Sequence, residues 1–176
     1  MLGTEMALLY LEKPIENSGV ASIDSLFGIP DFRANERIMS ILIKIRAITQ
    51  KAFVVQTRSR NEKIFDYATK GNLMDFFRDE VEERKKLSYP PFTTLIKLTA
   101  RGTKDQVDES MKLVEKELEK YDPIVFPAFV EVVAGKSVMH ALIKIERSEG
   151  ISKNLLDTLL KLPPQIAVNV DPESLL

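Results

Sequence analysis

A chain of 176 residues, 44% hydrophobic and 29% charged, has the size and balance of a soluble globular protein with one good core, or one domain plus an appendage. Its formal net charge of -1 and pI near 6.0 give no global pull toward nucleic acid, so any such contact must rest on a local basic patch. The lack of cysteine excludes disulfides and thiolate zinc sites, and a single histidine, His140, argues against a histidine-based metal centre or a Ser-His triad.

From the N-terminus, residues 6–11 form a short apolar run, 14–19 read as a turn, and 20–25 as a short buried strand. After Gly28-Ile29-Pro30, Asp31 is placed to cap a helix over 32–49, whose Ile38, Ile41, Leu42, Ile45 and Ile48 recur at spacings of three and four. Residues 52–57 are a continuous apolar strand of the kind covered on both faces of a sheet. Two helices follow. Ile64, Tyr67 and Ala68 mark the first, which Gly71 ends, and Leu73, Phe76, Phe77, Val81 and Leu87 mark the second, with the charged run 78–86 on its wet face. Pro90-Pro91 stops it.

The rest of the chain has a regular rhythm. Residues 93–100 alternate as a strand, with Leu95, Lys97 and Thr99 against Ile96 and Leu98. A helix over 103–121 carries Val107, Met111, Val114 and Leu118 on one side. Strands at 130–133 and 141–145 flank the turn Ala134-Gly135-Lys136, a helix at 151–162 ends at Pro163-Pro164, and 166–170 is a last strand. The order β-α-β-β-α-β over some 80 residues is that of a ferredoxin-like unit, two helices on a four-stranded antiparallel sheet. No run of about 18 apolar residues and no signal-peptide profile occurs, so a cytoplasmic protein without membrane contact is expected.

Residue chemistry alone gives few leads. There is no Gly-rich phosphate loop, and Asp79, Glu80, Glu82 and Glu83 read as a solvated helix face. His140 falls within a strand and reads as a structural or exposed histidine. One local bias stands out. Between positions 31 and 63, eight basic residues (Arg33, Arg37, Lys44, Arg46, Lys51, Arg58, Arg60, Lys63) face three acids (Asp31, Glu36, Glu62). Such a surplus can hold phosphates through charge and guanidinium forks, or simply solvate a surface.

The string Ile29-Pro30-Asp31-Phe32-Arg33-Ala34-Asn35-Glu36-Arg37 resembles the P-D-F-R-A-x-E-R signature of PriA-type replication-restart helicases. Further similarities follow in order: Gly3-Thr4-Glu5-Met6 to helicase motif V, Val54-Val55-Gln56-Thr57 to the last strand of the second helicase lobe, and Glu83 through Tyr89-Pro90-Pro91-Phe92 to the link into the C-terminal domain. Pro127-Ala128, Gly135-Lys136, Leu142-Ile143-Lys144 and Val168-Asn169-Val170-Asp171-Pro172 complete a resemblance that runs nearly the whole length. The resemblance implies an α/β chain: a partial second helicase lobe of RecA-like type over 1–60, a helical linker over 61–92, and an α+β ferredoxin-like C-terminal domain over 93–176. The family's phosphate-binding loop, acidic metal-binding motif and zinc cysteines lie upstream of motif V, so neither ATP nor zinc is expected to bind this chain.

The departures matter as much. In motif V the glutamine is Glu5, and the lysine and glycine that should follow are Leu9 and Tyr10. Motif VI falls on residues 44–51, where its two arginines become Ile48 and Lys51, with Arg46 as the one shifted guanidinium. Those arginines act on ATP phosphates; isoleucine cannot, and lysine lacks the fork. After the glycine-lysine turn, basic and aromatic residues give way to Ser137, Val138, Met139 and His140, which weakens stacking on single-stranded DNA.

Together these observations predict a non-catalytic DNA-binding or scaffold module of replication restart. Arg33, Arg37, Lys44, Arg46, Lys136 and Lys144 are its DNA-binding candidates, Gly3, Thr4, Glu5 and Met6 a degenerate motif V, and no residue is assigned a catalytic or metal role. Its implied partners are branched or single-stranded DNA, single-strand-binding protein and other primosome components, and the two strands of the N-terminal third invite self-association. Two alternatives stand beside it: the distal part of an ATP-dependent helicase that needs an upstream lobe, and a protein-interaction domain with no nucleic-acid role.

Overall fold

A computed structural model describes residues 2–11, 13–59, 62–133 and 136–176. The chain is mixed α/β with two sheets, divided into the compact units Met1–Glu82 and Glu83–Leu176.

In the first unit a 3-10 turn over Glu5–Tyr10 precedes β1 (Ile15–Val20), a second 3-10 turn (Ile23–Leu26), α1 (Ala34–Ala47), β2 (Thr49–Val55), α2 (Lys63–Lys70) and α3 (Leu73–Lys86). The two strands pair in parallel, Ser18 opposite Phe53 and Val20 opposite Val55, with one extra residue of β2 bulged between the Ile15–Thr49 and Asn17–Ala52 pairs. The strand expected at 20–25 therefore lies earlier, over a stretch that reads as a turn. Ladder bonds explain this: Ile15 N–H donates to the Ile48 carbonyl at 2.8 Å and Gln56 N–H to that of Val20 at 2.8 Å, while Ser22, at φ 59, ends the extended run. The second strand also starts before its expected position, anchored by Thr49, whose hydroxyl donates to the Ile45 carbonyl at 2.7 Å and lies 2.6 Å from that of Ser18. It is not covered on both faces, since Val54 is 61% exposed.

The apolar stripe of α1 turns inward as its spacing requires. Ile38, Met39 and Leu42 join Ile23, Ile64, Phe65, Ala68 and Phe76 in the core of the first unit. The helix begins two residues after the expected start, because the Asp31 carboxylate accepts from Arg33 N–H at 2.9 Å and holds that stretch in a turn. On α3 only Phe76 of the expected apolar face is fully buried; Phe77, about 100° further round, is half exposed, and Glu80 of the supposedly wet run is buried. The inward line is Leu73, Phe76 and Glu80, at spacings of three and four.

The second unit runs β3 (Thr93–Gly102), α4 (Lys104–Glu117), a 3-10 turn (Glu119–Tyr121), β4 (Ile124–Val133), β5 (Lys136–Glu146), α5 (Lys153–Lys161) and β6 (Ile166–Val170). The strands are antiparallel in the order β4-β5-β3-β6. Ile96 faces Ile143, Leu98 faces Ala141 and Ala100 faces Met139, and this side packs on Val107, Met111 and Val114 of α4 and Leu155 and Leu159 of α5. Both helices start on a side-chain cap. Thr103 and Gln106 form a reciprocal capping box, and the Ser152 hydroxyl accepts from Leu155 N–H at 3.2 Å. Strands β4 and β5 reach well beyond the expected 130–133 and 141–145, because Ile124 through Pro127 also pair with β5. Of the expected turn Ala134-Gly135-Lys136, the first two residues lie outside the described residues.

The link between α3 and β3 is tied down by side chains. The Thr93 hydroxyl donates to the Ser88 carbonyl at 2.9 Å, Lys144 Nζ to that of Leu87 at 2.8 Å, and Arg84 Nη1 to that of Pro90 at 3.3 Å. Arg147 N–H bonds the Phe92 carbonyl at 3.1 Å.

Candidate nucleic-acid interface

Exposure along α1 follows a clean period. Ser40, Lys44 and Ala47 are exposed, preceded at the same spacings by Arg37 and Arg33, while Ile38, Met39, Ile41 and Leu42 are buried. Steps of four, three, four and three keep one angular position on a helix, so the apolar seam leaves Arg33, Arg37 and Lys44 on one outer stripe with Ser40 between them. At 1.5 Å rise per residue, Arg37 and Lys44 are about 10 Å apart along the axis. None of these three cations takes part in the ion pairs seen among the described residues, which include Lys51–Glu16, Lys63–Asp79, Lys70–Asp66 and Arg78–Asp75. The Arg33 guanidinium sits 5.3 Å from the centre of the Phe32 ring, a position that limits its motion without removing its charge.

Two of these cations stand at the positive end of the α1 dipole, where a cation is unfavourable by a few tenths of a kcal/mol and an anion favourable. Glu36 in the first turn offsets this in part. A phosphate placed over Arg33 and Arg37 would offset it further.

The remaining candidates are dispersed. Arg46 points away from the stripe: its Nη1 lies 3.2 Å from where a Cβ on Gly71 would stand. Gly71, at φ 71, ends α2, so the guanidinium sits at that helix's negative end and has a ready structural role. Lys144 is engaged in the link, its ammonium 4.1 Å from the centre of the Tyr89 ring and bonded to the Leu87 carbonyl; burial lowers its pKa. Lys136 is exposed at the start of β5, eight residues and about 26 Å of strand from Lys144, so the two do not form one patch. Gly3, Thr4, Glu5 and Met6 are all exposed, and the 3-10 turn they open buries no residue. Arg60 lies outside the described residues.

The residues at the motif VI positions do not fit an ATP phosphate. Ile48 caps the end of α1, and Lys51 reaches across to Glu16 at 3.0 Å. Neither presents a guanidinium fork. Zinc fits no better: the chain has no thiolate donors, and among the described residues no three His, Asp or Glu side chains gather to hold a metal. Polar hollows are present among the described residues. One, of about 430 Å³ at the C-terminal ends of β1 and β2, is lined by Ser22, Asp24 and Arg58 among others; the Asp24 carboxylate is occupied by the Thr57 hydroxyl at 2.6 Å, which with the Arg58 N–H lowers its pKa. Another, of about 600 Å³, lies beside Arg101 and Gln106.

Ser40 escaped the sequence reading, although its place was legible as the complement of the isoleucine seam. Lys97 also escaped it, because alternation assigns it to solvent and the structure buries it.

The described residues thus form an α/β chain with a basic stripe along one helix. Residues 85–173 match the Primosomal protein N C-terminal domain, half of the chain, and the chain belongs to that family. It is similar to Replication restart protein PriA of Borreliella burgdorferi, 25% identical over 89% of this chain and 26% of the relative. The Thermotoga maritima protein of the same name is 26% identical over 99% of this chain and 25% of the relative, and that of Treponema pallidum 26% over 100% and 29%. The chain thus spans between a quarter and a third of the length of these relatives. Among the described residues no helix is long and apolar enough to cross a membrane.

Proposed function

We propose that this chain acts in replication restart as a non-catalytic module that holds DNA by its backbone through the α1 stripe of Arg33, Arg37 and Lys44. The observation that carries the reading is the stripe itself, three cations in line that take no part in the ion pairs seen among the described residues, in a chain of this family. The exchange of the motif VI arginines for Ile48 and Lys51 supports the non-catalytic half. A partial RecA-like lobe is the finer reading of the parallel β1–β2 pair with α1. A ferredoxin-like domain is the finer reading of the second unit, supported by its β-α-β-β-α-β succession and strand order. The domain limits 1–60, 61–92 and 93–176, the cytoplasmic location, and primosome components such as single-strand-binding protein as partners belong to the same proposal.

A salt titration tests it. Three phosphate contacts give a slope of log affinity on log salt of about -2 to -3, and the double change Arg37→Ala, Lys44→Ala lowers its magnitude by about 1 to 2. Binding that ignores salt, or no binding to single-stranded or forked DNA at low salt, sinks the reading and favours a protein-interaction domain.

A further inference from the structure

The hollow of about 600 Å³ in the second unit is walled by the end of the sheet and one flank of α4. Arg101 stands near the end of β3, and the register that sets Ala100 opposite Ile166 brings Gln165 beside it. On the other side lie Gln106, Glu109 and Leu113, at steps of three and four along the helix. The Gln106 carboxamide is fixed in place. Its oxygen accepts from Thr103 N–H at 3.0 Å and packs so close over Gly102 that a Cβ there would stand 2.7 Å from it. That leaves the NH2 group of Gln106 as a donor. The buried Ser110 hydroxyl donates to the Gln106 carbonyl at 2.8 Å, and half-buried Leu113 supplies an apolar surface.

The two charges of this hollow do not meet. Arg101 and Glu109 line it together, yet neither side chain enters a hydrogen bond or ion pair among the described residues. A guanidinium and a carboxylate that line one space without closing on each other suit a ligand that accepts on one edge and donates on another. A phosphate is opposed by Glu109, and a metal ion by Arg101. We propose that this hollow binds a single unpaired guanine base. Its O6 and N7 accept from the Arg101 fork, its N1–H and N2 amine donate to the Glu109 carboxylate, and its ring lies against Leu113. Among the four DNA bases only guanine sets two adjacent donors beside two acceptors. A duplex occupies the N1–H edge, so the base is read from a single strand. The choice of a nucleobase among planar ligands rests on the DNA-handling role proposed above.

Amide NMR of the full chain titrated with free nucleotides tests this without calling on the α1 stripe. dGMP is expected to shift the Gln106, Glu109 and Leu113 amides and to bind about five-fold or more tighter than dAMP, dCMP or dTMP, the phosphate being common to all four. dIMP, which lacks the N2 amine, and 7-deaza-dGMP, which lacks N7, are each expected to bind about three-fold or more weaker than dGMP. Glu109→Gln closes the gap between dGMP and dIMP and keeps the one for 7-deaza-dGMP; Arg101→Met does the reverse. Both side chains are exposed, and the spectra themselves report whether a variant is folded. Equal affinities for the four nucleotides, shifts confined to other residues, or a dGMP preference untouched by both substitutions overturn the proposal. A dGMP site found in a chain that shows no salt-dependent DNA binding upholds it while sinking the α1 reading.

Discussion

His140 shows what burial does to a single group. Its Nδ1 lies 2.9 Å from the Thr99 hydroxyl and its ring packs 5.6 Å from that of Phe126. Burial above all, then the Lys97 and Arg101 charges, lower its pKa from 6.5 to about 4. The unfolded imidazole takes its proton near 6.5 and the folded one only near 4, so the unfolded state binds more protons in between. The stabilisation is complete above about pH 6.5, declines as pH falls, and is gone below about pH 4. At about 1.4 kcal/mol per pKa unit the loss is on the order of 3–4 kcal/mol. Urea midpoints measured across this range should shift less in His140→Gln than in the parent; equal shifts would assign the acid sensitivity to other groups. At the same scale Arg46→Ala is expected to lower stability by about 0.3–1 kcal/mol and leave DNA affinity nearly unchanged, the reverse of Arg37→Ala. Paired melting and anisotropy measurements separate the two.

Elements differ in how much of them the sequence discloses. The apolar seam of α1 and the β-α-β-β-α-β succession are visible because each element of that kind buries a periodic face, as Ile38 and Leu42 or Ile96 and Leu98 do. β1 was not visible, because Asn17, Ser18 and Gly19 have poor strand propensity and are extended by pairing with β2, a long-range effect. The basic stripe could be traced from spacing, but the diversion of Arg46 to Gly71 and of Lys144 to Leu87 depends on neighbours remote in the chain. That second diversion makes the link part of the C-terminal fold. A fragment starting at residue 83 keeps the Ser88 and Leu87 carbonyls that Thr93 and Lys144 bond; one starting at 93 loses both. The shorter fragment is expected to be less stable by about 1–3 kcal/mol, read from denaturant unfolding of the two. Equal stability would show that these ties contribute nothing. Within the sheet, Leu98→Ala should lose about 2–5 kcal/mol, because the 0% exposed side chain leaves a cavity between sheet and helices.

For the molecule as a whole, the substitutions at motif VI predict no ATP turnover above background, with or without forked DNA. DNA-stimulated hydrolysis by the purified chain would contradict the non-catalytic reading and favour a helicase fragment with a working nucleotide grip. The two sheets also differ in their rims. In the C-terminal sheet the β4 rim is interrupted, with Pro127 opposite Met139 but Val132 already opposite Ser137, and the β6 rim is only five residues long. Proline, irregular register and brevity all discourage a foreign strand from adding on. The β1–β2 pair carries one register slip and the charged Lys51 and Glu16, but it has no proline and leaves Val54 bare. At high concentration, then, copies that stick together should do so through the N-terminal ribbon. A lysine at position 54 should keep stock solutions clear where the parent turns cloudy.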